Sequence, residues 1–163
     1  WLVLALLGGF VTVKVLGLFE PAMEEHGKLF FFTPLIAAMA GNVGVQSSAI
    51  IVQGLANNSL SGSLFNRLVK EVLLSLLNGV ILAIILFLGS HFLLNVEFII
   101  GFIVTIALVS VIIIASLIGT FIPLLLDKFG IDPALATGPF ITTSNDICGI
   151  LIYFSIAKII LGF

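Results

Sequence analysis

The sequence predicts an all-α integral membrane protein with five transmembrane helices in each chain. Of its 163 residues, 61% are hydrophobic and only 9% are charged, and the mean hydropathy of +1.37 is far above that of soluble domains. The apolar residues form long runs, each near or above the roughly 20 residues that a helix needs to cross a bilayer. Because backbone polar groups in lipid must be bonded within the protein, runs of this length favour helices over barrel strands.

Short polar stretches separate the five predicted helices. The first helix ends before EPAMEEHGK, and the second ends in NNSLSGS, whose Asn, Ser and Gly are typical of a loop. The fifth follows DKFGIDP, with Asp132 as a predicted N-cap and Pro133 at the first helical position. The helices cover about residues 1–19, 29–56, 68–94, 98–126 and 133–163. The whole chain, 1–163, is thus predicted to be one transmembrane domain.

The few charged residues indicate an orientation and exclude some partners. Arg67 and Lys70 are the basic pair that flanks a loop, and basic residues favour the cytoplasmic side. The loop between the second and third helices is therefore predicted to be cytoplasmic, with the N-terminus cytoplasmic and the C-terminus outside. The formal charge is −2 and the basic residues are scattered. This distribution gives no support to nucleic-acid binding or to a polybasic lipid-binding patch, so the surrounding partner is membrane lipid.

Polar residues concentrate in the second and fifth helices, whereas the other three are almost featureless. At about 100° per residue, Thr142 and Asp146 share one face of the fifth helix. On the second helix, Gly41 and Gly44 belong to a stripe of small residues, and Asn42 lies on a neighbouring stripe. Small residues and amides also occur where helices simply pack closely, and this structural role accounts for the glycines equally well.

Asp146 is the residue that packing does not explain. A charged side chain at the centre of a membrane helix costs roughly 2.5 to 3.5 kcal/mol, and helices two to five carry no basic residue at comparable depth. Pro139, predicted to lie inside the fifth helix, would leave the carbonyl near Leu135 without its usual donor. A carboxylate, free carbonyls and room for water are what a hard cation requires.

Two long stretches are similar to a known family. PLIAAMAGNVGVQSSAIIVQGLA together with GIDPALATGPFITTSNDICGILIYF resembles the membrane domain of the MgtE magnesium channels and transporters, which are related to eukaryotic solute carriers. The resemblance implies a homodimer that moves Mg²⁺ into the cytoplasm through a pore on the two-fold axis, lined by the second and fifth helices. Asp146 matches the pore aspartate of the family. Gly41 and Gly44 match glycines whose carbonyls face the ion, and Asn42 and Thr142 lie beside these positions.

The chain departs from the family pattern in two ways. Gln53 stands where the family often has a basic residue at the cytoplasmic mouth. Bacterial members also carry cytoplasmic sensor domains before the membrane part, which are absent from a sequence that begins at Trp1. The expectation is therefore a trimmed chain or a shorter relative, with a cytoplasmic regulatory domain or subunit as a candidate partner. The membrane implied is a bacterial or archaeal plasma membrane.

Three other functions compete with a Mg²⁺ channel or transporter. A proton- or ion-coupled cation carrier or exporter would use Asp146 as its coupling carboxylate. A purely structural membrane subunit would need Asp146 for assembly alone. An intramembrane aspartyl protease would need two aspartates, and the SND context of Asp146 differs from the Gly-x-Gly-Asp context of those enzymes. The sequence therefore predicts a protein that is not an enzyme.

Overall fold

The computed structural model describes residues 2–60, 63–136 and 138–162, and these residues contain α-helices and one 3₁₀ turn but no strand. The helices are α1 (Leu2–Gly17), α2 (Glu20–Glu25), α3 (Gly27–Ala56), α4 (Leu64–Phe92), α5 (Phe98–Lys128) and α6 (Pro139–Leu161). Helices α3 to α6 are each long and apolar enough to cross a membrane, and α1 is a shorter apolar helix. The predicted all-helical class is confirmed, and the five predicted spans fit α1 and α3 to α6.

The structure differs from the predicted boundaries before α3 and at the start of α4. The stretch EPAMEEHGK was predicted to be a break between spans, but its first six residues form the short helix α2. Helix α4 begins four residues before the predicted position because Ser63 caps it: the Ser63 hydroxyl accepts a hydrogen bond from the Asn66 backbone N–H at 3.3 Å. A serine in this position satisfies one of the free donors of the first helical turn.

The predicted start of the last helix is wrong. Pro133–Ala136 forms a separate 3₁₀ turn, and α6 begins only at Pro139, after Gly138 with a φ of 72°. The residue before a proline avoids the helical conformation, and Gly138 adopts a positive φ at low cost. Pro139 therefore occupies the first position of α6, where its missing N–H is harmless, and it frees no carbonyl in the middle of a helix.

Helix α5 lies at the centre of the bundle. Helices α3, α4 and α6 all pack against it, α6 also packs against α3 and α1, and α3 and α4 hardly touch each other. Near one end of the bundle, the Tyr153 hydroxyl donates a 2.8 Å hydrogen bond to the carbonyl of Leu29, which fixes α6 to the start of α3. The largest fully buried side chains include Leu29, Ile36, Ile103, Ile112, Ile141, Tyr153 and Phe154.

An ion pair joins the start of α3 to the start of α5. The Lys28 ammonium donates to Oε1 of Glu97 at a distance of 2.8 Å. The hydrogen bond from Lys28, together with its charge, lowers the pKa of Glu97 below the ordinary glutamate value. Since α3 and α5 begin on the same side, the loop between α3 and α4 and the 3₁₀ turn before α6 lie on the opposite side. Helices α3 to α6 therefore alternate in direction.

Candidate functional site

The predicted central residue, Asp146, lies half-buried on α6 and faces Gly41 of α3. A Cβ atom added to Gly41 would lie 3.3 Å from the Asp146 Oδ1 atom and 3.7 Å from the Thr142 methyl carbon. Glycine at position 41 therefore allows the carboxylate to rest against the backbone of α3, where any side chain would crowd it. The structure brings Gly41, Thr142 and Asp146 together at the contact between α3 and α6.

Thr142 lies one helical turn before Asp146 and is fixed by the start of its own helix. Its hydroxyl lies 3.1 Å from the carbonyl oxygen of Pro139 and 3.3 Å from that of Gly138, and it donates to these carbonyls. Because the hydroxyl hydrogen is used in this way, the oxygen lone pairs remain available as acceptors. Gly138 and Pro139 thus orient the Thr142 side chain, with its hydroxyl towards the start of α6 and its methyl carbon towards Gly41.

The Asp146 carboxylate has no partner among the residues that the structure describes. Among residues 2–60, 63–136 and 138–162, no hydrogen bond and no ion pair involves it. It is the eighth residue of α6, which places it about 10 Å along the helix axis, within the apolar part of the bundle. An ionised carboxylate at membrane depth requires water, a cation or both. The contact between α3 and α6 can therefore supply one negative charge and neutral oxygens to a cation.

Gly44, one helical turn after Gly41, also faces α6. A Cβ atom added to Gly44 would overlap the side chain of Asn145, and one added to Gly119 of α5 would overlap the Gly44 carbonyl oxygen. Gly44 is therefore buried where α3, α5 and α6 meet, and its carbonyl is directed at α5. Its absent side chain allows the three helices to approach closely, which is the usual role of small residues in membrane bundles.

Sequence reasoning did not select Asn145, the residue before Asp146. Its side chain is only 1% exposed, and neither its amide oxygen nor its amide nitrogen has a hydrogen-bond partner among the described residues. Buried amides are nearly always bonded, so Asn145 marks a position for an ordered water or another polar group beside the carboxylate. The only signal in the sequence was the uninterrupted polar run TTSND, which does not reveal which side chains are buried.

Asn42 is placed away from Asp146. It is exposed on α3 and lines a cavity between α3 and α4, together with Gln46 and Glu71. The predicted residues therefore lie in two places: Gly41, Gly44, Thr142 and Asp146 along the contact of α3 with α6, where the Gly44 carbonyl also meets α5, and Asn42 in the cavity between α3 and α4.

The comparisons with known proteins identify the family. A family model described as MgtE, a divalent cation transporter, matches residues 33–156, which include most of α3 and of α6. The chain belongs to the MgtE family of divalent cation transporters. The predicted family is thus confirmed, and the matched region contains Gly41, Asn42, Gly44, Thr142 and Asp146.

Three curated relatives agree with this family. Each is named magnesium transporter MgtE. The chain is 36% identical to the protein of Bacillus subtilis over 158 residues, which are 96% of the chain. It is 39% identical to the protein of Enterococcus faecalis over 168 residues, which cover 100% of the chain. It is 35% identical to the protein of Thermus thermophilus over 167 residues, which cover 99% of the chain. The matches cover 35% or 36% of each relative, so the chain spans about a third of their length.

Proposed function

We propose that this chain carries Mg²⁺ across a membrane, with the Asp146 carboxylate as the central ligand of a largely hydrated ion. The observation that supports this most strongly is the unpartnered carboxylate of Asp146 at membrane depth, resting against Gly41 in a family of divalent cation transporters. The relatives named as magnesium transporters support the choice of Mg²⁺ among divalent cations.

The chemistry of Mg²⁺ fits a site with one carboxylate and neutral oxygens. Mg²⁺ gives up its waters reluctantly and is usually held through one or two carboxylates while several waters remain bound. Within the part of the chain that the structure describes, no group of three or more His, Cys, Asp or Glu side chains is placed to hold a metal. In the proposal, Asp146 binds the ion through its waters, and the Thr142 hydroxyl and the backbone of Gly41 add neutral acceptors.

The proposed active form is a homodimer. One Asp146 is half-buried at the edge of the contact between α3 and α6, so a single chain surrounds the ion on one side. A two-fold axis along this contact would place two carboxylates opposite each other and balance a divalent charge. The pore would then be lined by α3 and α6 of both chains. In this arrangement Gly44 shapes the pore wall through helix packing, whereas Asn42 lies in the cavity between α3 and α4, away from the ion at Asp146.

The proposed orientation follows from Arg67 and Lys70 near the start of α4. Basic residues favour the cytoplasmic side, which places the loop between α3 and α4 in the cytoplasm, the N-terminus there as well and the C-terminus outside. Mg²⁺ would move into the cytoplasm across a bacterial or archaeal plasma membrane. Because the relatives are about three times as long as this chain, a cytoplasmic regulatory domain or subunit is a further proposed partner.

Uptake of Mg²⁺ into proteoliposomes tests the function. Wild type and Asp146→Asn are compared at fixed pH without a proton gradient, and Asp127→Asn serves as a matched control because Asp127 is an exposed carboxylate at the end of α5. We expect saturable uptake in wild type and Asp127→Asn and background uptake in Asp146→Asn.

Two results would contradict this proposal. Equal uptake in wild type and Asp146→Asn would refute the carboxylate as a ligand and leave it a structural role. Uptake that begins only when a pH gradient is applied, and that loses its proton coupling in Asp146→Asn, would favour a coupled carrier. That alternative uses the same unpartnered carboxylate as a proton-binding group.

A further inference from the structure

A second polar region lies on the opposite flank of α3 from Asp146. Helices α3 and α4 both pack against α5 but hardly against each other, and the cleft between them has a volume of about 500 Å³. Asn42 and Asn78 lie near the midpoints of α3 and α4, so the cleft reaches the middle of the bundle. Its polar side chains are Asn42, Gln46 and Ser47 from α3 and Glu71, Ser75 and Asn78 from α4.

The carboxylate of Glu71 is held in a defined position within this cleft. The buried Ser47 hydroxyl donates a hydrogen bond to Oε1 of Glu71 at 2.7 Å, which joins α3 to α4 across the gap. Ser75 and Ser116 bond each other at the floor of the cleft. A carboxylate can accept about four hydrogen bonds, so most acceptor positions of Glu71 remain open. Lys70 directly precedes Glu71 in α4, and Arg67 lies one helical turn earlier.

The amide side chains that line the cleft have no partners in the described parts of the chain. Asn42, Gln46 and Asn78 are exposed, and none forms a hydrogen bond with another described residue. Polar groups left without bonds in hydrocarbon are costly, so the exposed amides favour water or another polar ligand in the cleft. At about 30 Å³ per water, 500 Å³ holds on the order of 15 water molecules, which is enough for an ion with its hydration shell.

The groups in the cleft indicate which ligand it would bind. They comprise one carboxylate, three amides and several hydroxyls, with neither imidazole nor thiolate among the residues that line it. An oxygen-only set suits a hard cation, and a roomy site with one carboxylate suits an ion that keeps its waters. A small dehydrated cation such as Na⁺ would instead need several protein oxygens in direct contact.

We propose that the cleft between α3 and α4 is a second binding site for hydrated Mg²⁺, separate from Asp146, with Glu71 as its carboxylate. The choice of Mg²⁺ rests on the proposed function, whereas the site itself rests on the cleft. Asn42, Gln46 and Asn78 bind the waters of the ion, and Ser47 holds the Glu71 carboxylate towards it.

Equilibrium binding of Mg²⁺ to the purified chain in lipid nanodiscs tests the proposal. Four proteins are compared: wild type, Asp146→Asn, Glu71→Gln and the double variant. Glu24→Gln is the matched control, since Glu24 is exposed on α2. We expect Glu71→Gln to weaken one class of sites by at least about tenfold, in the presence and in the absence of Asp146, and Glu24→Gln to bind like wild type.

The outcomes separate this site from the one at Asp146. If Glu71→Gln titrates like Glu24→Gln in both backgrounds, the second site is refuted. If Asp146→Asn has no effect while Glu71→Gln still loses one class, the proposed role of Asp146 fails and the cleft site stands. A titration with Na⁺ as competitor is the selectivity control: displacement of Mg²⁺ from the Glu71 class by equimolar Na⁺ would overturn the assignment to a hydrated divalent ion.

A second variant keeps the proposal testable if Glu71→Gln does not fold. Asn78→Cys leaves Glu71 and Ser47 intact, and Cys148→Ser removes the only native thiol. We expect a charged, membrane-impermeant thiol reagent to label Cys at this position and Mg²⁺, but not Na⁺, to slow the labelling. Absence of labelling would show that the cleft is dry or is covered by a second copy of the chain, and labelling unaffected by Mg²⁺ would equally refute the site.

Discussion

Replacing Gly41 with alanine should impair Mg²⁺ transport while leaving the fold intact. The added methyl carbon would lie 3.3 Å from Oδ1 of Asp146 and 3.7 Å from the nearest Thr142 carbon, so the half-buried carboxylate would have to move by a few tenths of an ångström. Alanine is favoured over glycine inside a helix by about 1 kcal/mol, which offsets this crowding. Stability should therefore change little, whereas the methyl group occupies space that the ion and its waters need.

The size of the transport defect can be estimated from the geometry. The added methyl group displaces the carboxylate oxygen from the backbone of α3. Disturbing a group that orients a metal ligand typically lowers the metal affinity by about 10- to 100-fold. We expect the half-saturating Mg²⁺ concentration for uptake to rise by at least about tenfold. Gly9→Ala on α1 is the matched control, because a Cβ atom added there would have no neighbour within 4 Å.

Two measurements test this prediction: Mg²⁺ uptake by Gly41→Ala and Gly9→Ala, and thermal unfolding of both variants in detergent. If Gly41→Ala transports like Gly9→Ala at every Mg²⁺ concentration, the argument that Gly41 makes room for the carboxylate is refuted. If Gly41→Ala unfolds markedly earlier than Gly9→Ala, the contact between α3 and α6 is tighter than the structure indicates, and the transport defect cannot be assigned to the ion.

Three further predictions concern stability. Gly44→Ala should destabilise the fold by about 1–3 kcal/mol, because its methyl group overlaps the buried amide of Asn145, and a thermal midpoint equal to that of Gly41→Ala would contradict this. Tyr153→Phe should lower the free energy of unfolding by about 1 kcal/mol in chemical denaturation, because a buried carbonyl at the start of α3 loses its donor; an unchanged value would show that water replaces it. The ion pair with Lys28 lowers the pKa of Glu97, so the stabilisation by this pair is present above the unfolded pKa of Glu97 and is lost as the pH falls through the lower folded pKa. Lys28→Ala should therefore abolish this part of the acid dependence of the thermal midpoint. An identical pH profile of the thermal midpoint in wild type and Lys28→Ala would refute the prediction.

The spans were predictable from the sequence because their signal is local. In a bilayer the backbone polar groups of a long apolar run must be hydrogen-bonded within the run, which requires a helix. Hydropathy alone therefore predicts α3 to α6. The start of α6 was not predictable in the same way. Both Pro133 and Pro139 are good first residues of a helix, and only the positive φ of Gly138 in the folded chain shows that the helix begins at the second proline.

Helix geometry predicted part of the candidate site, namely the face of α6 that carries Thr142 and Asp146. The spacing of Thr142 and Asp146 placed them on one face of α6, because four residues make about one turn. The partner faces of α3 were not determined, since Gly41 and Gly44 both face α6, whereas Asn42, between them in sequence, faces the cavity beside α4. Which face meets which helix depends on the packing of α5, and a single sequence does not contain that information.

The placement of α5 explains how α3 can contribute to two separate polar regions. Because α5 packs against α3, α4 and α6, it keeps α3 apart from α4 while α3 and α6 meet. The contact of α3 with α6 then holds the Asp146 carboxylate against bare backbone, and the gap between α3 and α4 contains the Glu71 carboxylate, bonded to Ser47. Adjacent residues of α3, Gly41 and Asn42, belong to different regions. Substitutions at Asp146 and Glu71 should therefore affect Mg²⁺ binding additively, as expected of sites that share no side chain.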